Sequence, residues 1–210
     1  MSNKQKVILD LCGGTGAWSK PYKEAGYEVI VLTLPKYDVT KWKEKEYHWL
    51  RELIYENKIW GILAAPPCTM FSFARTKAKE LRDLKEGMEI VRACLDIIWY
   101  CMEGRQETKY KTVPLRFWAL ENPNGMLKFF LGKPAFEFNP YDFGDNYKKN
   151  THIWGWFNEP NKTPVKCDNV KFDKMSSKDI HPERFGELTR QERRAITPMG
   201  FAKSFFEVNK

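Results

Sequence analysis

Cys68 stands directly after two prolines in the stretch GILAAPPCTMFSFAR, residues 61–75. Neither proline can donate to a sheet ladder and both fix φ, so the apolar run Trp60–Ala65 reads as a strand that stops. The thiol then sits on a stiff turn beyond it, either as a packed small hydrophobe or as a nucleophile. A second stretch, FWALENP, drives an apolar strand into Glu121, with Asn122 and Pro123 behind it. A glutamate there is either a turn carboxylate or an acid whose raised pKa lets it hold a proton near neutral pH. A third stretch, DLCGGTGAW, puts Gly14 and Gly16 between a strand and a helix, where backbone can approach a nucleotide-type cofactor or simply turn tightly. The dinucleotide fingerprint has its third glycine where this chain has Ser19, which disfavours nicotinamide cofactors.

Three chemistries compete for a cysteine at such a turn. Zinc deaminases pair H-x-E with P-C-x-x-C, but Cys68 is followed by Thr69, Met70 and Phe71, and no H-x-E occurs. Methylation of an exocyclic amine calls for an acidic or amide side chain before the two prolines, and that position is Ala65. Attack by Cys68 itself is left. Its thiolate would add to C6 of cytosine while Glu121 hydrogen-bonds N3, making C5 nucleophilic toward the methyl group of a sulfonium donor.

The elements that must carry these residues alternate. Lys6–Cys12, Tyr27–Leu34, Trp60–Ala65 and Arg116–Leu120 read as strands. Ser19–Gly26, Lys41–Asn57 and Lys79–Glu103 read as helices, the last on the spacing of Leu81, Leu84, Met88, Val91, Leu95 and Ile98. The tail combines a hairpin-like piece, THIWGWF, with a final helix near Arg190–Asn209. This alternation predicts an α/β domain with a mostly parallel sheet. Ligands of such sheets bind beyond the carboxyl ends of the strands. The unusual residues, Gly13–Gly16, Thr33–Asp38, Pro66–Cys68 and Glu121–Pro123, all fall at such ends.

The 210 residues suit a single domain, and 42% hydrophobic content argues against disorder. No apolar run approaches the roughly 18 residues of a membrane span, and the N-terminus does not read as a signal peptide, so a cytoplasmic protein is expected. Five cysteines without framework spacing and three histidines predict neither disulfides nor a metal site. The net charge of +8 fits a solubilising surface excess or a polyanionic partner.

In order, DLCGGTG, APPCTMFS and ALENP resemble the motifs of the cytosine-C5 DNA methyltransferases. FGDNYKKNTHIWG and ELTRQERRAITPMGFAKSFFEVN are similar to that family's later segments, so the resemblance covers nearly the whole chain. It is nearest to the short, single-domain members found in phages and prophages. It implies a Rossmann-like, S-adenosylmethionine-dependent methyltransferase fold with helices on both faces of the sheet, as one catalytic domain over residues 1–210. The cofactor would lie over Asp10, Leu11, Cys12, Gly13, Gly14, Thr15 and Gly16, with Thr33, Asp38 and Pro66 beside it. Cys68 is then the nucleophile, Glu121 the partner of N3, and Lys148 a holder of the flipped base or catalytic loop. Ser72, Arg75, Lys77, Asn122 and Asn146 would face DNA, with Lys79 beside them.

The chain also departs from the family pattern. Cys12 replaces a phenylalanine beside the adenosine, and Thr33 an acidic residue that binds ribose. Thr69 replaces a glutamine, Asn150 an arginine, and Asn146 and Lys148 stand for a glutamine and an arginine. Only residues 157–186 occupy the place of a target-recognition region, with Lys162, Lys166, Lys171 and Lys174 among them. So short an insert implies a short or relaxed sequence preference, or a partner that supplies recognition. RNA or a free cytosine nucleotide as substrate, and a silent nucleic-acid-binding relative, are the rival expectations.

Overall fold

Six strands form one sheet in the computed structural model, which describes residues 2–73, 80–103, 115–167 and 186–210. They are β1 (Val7–Leu11), β2 (Glu28–Leu32), β3 (Ile59–Ala64), β4 (Phe117–Pro123), β5 (Phe136–Phe138) and β6 (Thr151–Trp156), in the order β2-β1-β3-β4-β6-β5. The pairs among β1, β2, β3 and β4 are parallel, and β6 runs antiparallel between β4 and β5. The fold is thus mixed α/β with a mostly parallel sheet, as the alternation of patterns predicts.

The described α-helices are α1 (Lys20–Glu24), α2 (His48–Tyr55), α3 (Leu84–Glu103), α4 (Lys128–Leu131), α5 (Arg190–Ala195) and α6 (Met199–Val208). Side chains alternate across a strand, and β1 distributes them to two cores. Val7, Leu9 and Leu11 pack with Leu50 and Ile54 of α2 and with Val91, Cys94 and Ile98 of α3. Ile8 packs on the opposite face with Tyr22 of α1 and Phe201 and Phe205 of α6. Helices therefore cover both faces. The second core is largely aromatic: Phe138 stacks on Phe201 at 4.0 Å, and Phe143, Trp18 and Phe205 surround that pair.

Four sequence expectations need correction. The predicted helix Lys41–Asn57 divides into 3-10 turns at Val39–Lys41 and Lys45–Tyr47, followed by α2. Trp42 and Tyr47 are both buried yet stand five residues apart, so one continuous helix would turn them to different faces. The final helix breaks between Ala195 and Met199, where Pro198 lacks an N–H and disfavours helix at Thr197. Helix α3 begins at Leu84, and Leu81 is 94% exposed rather than part of its apolar face. Strand β4 runs on through Glu121 to Pro123, because β6 pairs with it beyond the point where β3 ends.

The order of the strands creates the crevice. From β1 the chain crosses through α1 to β2 on one side, then returns through α2 to β3 on the other. Adjacent strands β1 and β3 thus send their following loops to opposite sides at one edge, which is where open α/β sheets bind ligands. Among the described residues no helix is long and apolar enough to cross a membrane.

The aromatic core yields a stability prediction. Phe201→Ala removes the ring that Phe138, Phe143, Trp18 and Phe205 all touch, and is expected to cost about 3–5 kcal/mol in urea denaturation.

Candidate active site

The loop after β1 is built on an acid. Asp10 is fully buried, and Ser19 Oγ donates to its Oδ2 at 2.5 Å, while Oδ1 has no partner. A side chain at Gly13 would run into the Asp10 carboxyl, so glycine there lets the loop lie directly on the acid. Burial lifts the Asp10 pKa from 3.8 to about 6, against the lowering effect of the Ser19 bonds. Ser19, where the dinucleotide pattern has glycine, is thus the hydroxyl that satisfies Asp10.

Cys12, Gly14 and Gly16 have φ of 56°, 54° and 69°, a left-handed path that suits glycine at two of the three positions. The Cys12 amide donates to Leu32 O at 2.7 Å, tying the loop to the end of β2, and its Sγ lies 4.0 Å from that of Cys94. Leu11 is buried in the core, whereas Gly14 and Thr15 are exposed at the tip.

Beyond β2, Thr33 O accepts from the Tyr37 amide at 2.9 Å. Asp38 Oδ1 accepts from Thr40 N at 2.9 Å and from Thr40 Oγ1 at 2.7 Å, so the carboxylate caps the following turn. The Asp38 amide donates to the Tyr47 hydroxyl at 2.7 Å. Thr33 directly follows β2, whereas Asp38 stands six residues past its end, at the head of the next turn.

The Cys68 loop is clamped from several sides. Pro66 is buried, and its carbonyl accepts from Asn122 Nδ2 at 2.9 Å. Cys68 O accepts from the amides of Phe71 and Ser72 at 3.0 and 2.8 Å. Phe71 is fully buried, and Arg82 donates to Met70 O and Ser72 O at 3.0 and 2.8 Å. Ser72 pairs with Gly125, and Met126 N donates to Phe71 O at 2.8 Å. The turn carrying the thiol is therefore fastened to the segment that follows Glu121.

Asn122, expected to face DNA, is fully buried. Its amide joins the ends of β3 and β4 instead.

The carboxyl acts on the thiol. Burial, and then the charge of Glu121, push the Cys68 thiol up, while Lys149 and Arg194 pull it down. Burial raises the Glu121 pKa, and Lys149 opposes that rise. A cation acting on both is thus Lys149, one residue beyond the expected Lys148. Lys149 Nζ also donates to Arg194 O at 3.1 Å, and Thr151 Oγ1 holds the Lys149 carbonyl at 2.9 Å.

Helix α5 reaches the same loop, with Gln191 Nε2 donating to Thr69 Oγ1 at 3.2 Å. Gln191 and Arg194 stand three residues apart and so share a helix face. Lys149, Arg194, Gln191 and Arg82 escaped the sequence reading. A usable signal was present: Thr189 and Glu192 form a capping box that marks the start of α5.

Lys148 is partly buried and Asn146 exposed, on the chain leading into β6. Arg75, Lys77 and Lys79, and with them Lys171 and Lys174 of the short insert, lie outside the described residues. Among the described residues no group of three or more His, Cys, Asp and Glu side chains could hold a metal ion.

No protein-family model and no curated protein matches this chain.

Two titrations follow from these environments. Alkylation of Cys68 by iodoacetamide is expected to quicken at pH 8 in Glu121→Gln, which removes the charge that raises the thiol pKa. It is expected to slow in Lys149→Ala and Arg194→Ala, each read from a pH–rate profile.

A raised carboxyl favours the folded state in its protonated form. The contribution of Asp10 is complete below its ordinary pKa of 3.8 and is lost as pH rises through about 6. A shift of that size amounts to about 3 kcal/mol. Asp10→Asn should flatten the fall in stability across that window, measured by urea denaturation at a series of pH values.

Proposed function

We propose that this chain is an S-adenosylmethionine-dependent DNA cytosine-C5 methyltransferase with a Rossmann-like fold and a short or relaxed sequence preference. The observation that carries the reading is the effect of Glu121 on Cys68, both raised in pKa, just beyond the last parallel pair of adjacent strands β3 and β4. A carboxyl raised by burial is suited to hold a proton at neutral pH, as an acid that must serve N3 of a base requires.

The glycine loop fits a nucleotide-type cofactor. Its tip is exposed, its left-handed path leaves backbone open to a ligand, and the strand order forms a crevice beside it. Gly14 and Gly16 would carry S-adenosylmethionine, with Asp10 supporting the loop from below and Asp38 toward the adenine. Bound there, the cofactor supplies an electrophilic methyl group.

The remaining work belongs to the chain's own residues. The Cys68 thiolate forms a bond to C6 of cytosine, and Glu121 gives its proton to N3 as the C5–C6 double bond opens. The electron pair gathers at C5, which becomes the methyl acceptor. Loss of the C5 proton to solvent water and departure of the thiolate then restore the aromatic ring, with N3 returning its proton to Glu121. Lys149 and Arg194 favour the thiolate at the start and at the end. The partly buried position of Cys68, which still leaves some of it open, suits a base swung out of its stack.

The test uses a DNA duplex, a DNA single strand and an RNA strand, each carrying 5-fluorocytosine, with S-adenosylmethionine present. Fluorine at C5 cannot leave as a proton does, so a protein–DNA adduct that survives denaturation is expected. It should vanish in Cys68→Ser, and its rate of formation should fall by about 10²–10⁴-fold in Glu121→Gln. An adduct on RNA alone would change the substrate polymer. No adduct together with no cofactor binding would leave a silent nucleic-acid-binding protein.

A further inference from the structure

The loop that carries Cys68 runs on to a surface the reaction itself does not use. Phe73, Phe129 and Phe130 are 49%, 71% and 47% exposed, an unusual concentration of bare phenyl rings. Lys128 Nζ lies 5.8 Å from the ring centres of both Phe73 and Phe129, so a cation stands between two exposed aromatic planes. The patch is rigidly joined to the thiol loop. Phe130 meets the buried Phe71 edge-on at 6.3 Å, and the Ser72–Gly125 pairing closes the other side. Trp154 Nε1 holds the carbonyl of Gly132, at the end of α4, at 3.0 Å.

Beside the Phe129 ring opens a cavity of about 390 Å³, lined by Asn124, Lys128, Phe129, Lys133, Glu137 and His152. That volume lies within the range of small-ligand pockets, and a nucleobase is well below its limit. Burial lowers the His152 pKa, against the charge of Glu137, whose carboxylate stands 3.5 Å from Nε2. Lys128 also reaches Asn124 Oδ1 at 3.3 Å. Positive charge is thus concentrated on the α4 side of the cavity, beside the rings.

We propose that Phe73, Phe129, Lys128 and Lys133 form a binding site for unpaired DNA nucleotides that flank the target cytosine. Bases stack on the exposed rings, and the phosphates between them meet the two lysines. Exposed planes interleaved with cations are how single strands are held without sequence readout. A duplex keeps its base faces covered and offers the rings nothing to stack on, which selects an open strand. The substrate class rests on the methyltransferase reading above. The surface itself rests on the rings, the lysines and the cavity.

The experiment measures affinity of the full chain for a labelled single-stranded oligodeoxynucleotide containing 5-fluorocytosine, by fluorescence anisotropy over a salt series. Phe129→Ala is expected to weaken binding about tenfold, and Phe129→Trp to restore it, because the plane and not the phenylalanine is required. The DNA concentration for half-maximal adduct formation should rise in Phe129→Ala by the same factor. Lys133→Ala should reduce the slope of log affinity against log salt by about 0.7, one phosphate contact on a single strand.

Unchanged affinity in both alanine variants overturns the site. So does tighter binding of duplex than of single strand, or of an oligoribonucleotide than of DNA. Loss of affinity in Phe129→Ala from a wild-type chain that forms no adduct would support the surface and remove the methyltransferase reading instead.

Discussion

Where β3 runs beside β4, Gly61 faces Phe117 and the last parallel pair is Ala64 with Leu120. Both chains then leave their shared ladder at the same edge, one into Pro66 and Pro67, the other into Glu121. Everything proposed for the site depends on that common end point. A slip of one residue in a strand turns every side chain to the opposite face. Glu121 would then turn away from the thiol, and Asn122 away from the Pro66 carbonyl. The ring of Phe117 lies where a side chain on Gly61 would have to go, so only glycine permits this register at this spacing.

The site is electrostatically balanced rather than simply charged. Burial raises both Cys68 and Glu121, and the charge of Glu121 raises the thiol further. Lys149 and Arg194 work against that tendency from two distant parts of the chain. The two cations pull the thiol down against burial, and Lys149 also opposes the rise of the carboxyl. Asp10 repeats the pattern at the glycine loop: one oxygen is bonded to Ser19, the other is without a partner, and burial favours the protonated acid.

Much of this was legible from residues in order. Paired prolines before Cys68, a carboxylate ending an apolar strand, and glycines after another each have a local steric or solvation reason, which operates whatever the rest of the chain does. The same holds for the strand–helix alternation. Boundaries were less legible where tertiary packing overrode pattern. The need to bury both Trp42 and Tyr47 divided one apparent helix, and antiparallel β6 lengthened β4 through its proline.

The sequence by itself therefore determined the residue types at the candidate site and that the glycine loop and the Cys68 turn follow strands, because turns, prolines and apolar runs act through neighbouring residues. Only the tertiary structure decided which of them meet. It turned Asn122 inward as a clamp on Pro66, made Lys149 a cation that acts on the thiol and the acid, and brought Gln191 and Arg194 to the Cys68 loop. Those contacts join residues far apart in the chain. Coulombic and hydrogen-bonding partners at such separations are set by strand register and helix packing, which no local pattern encodes.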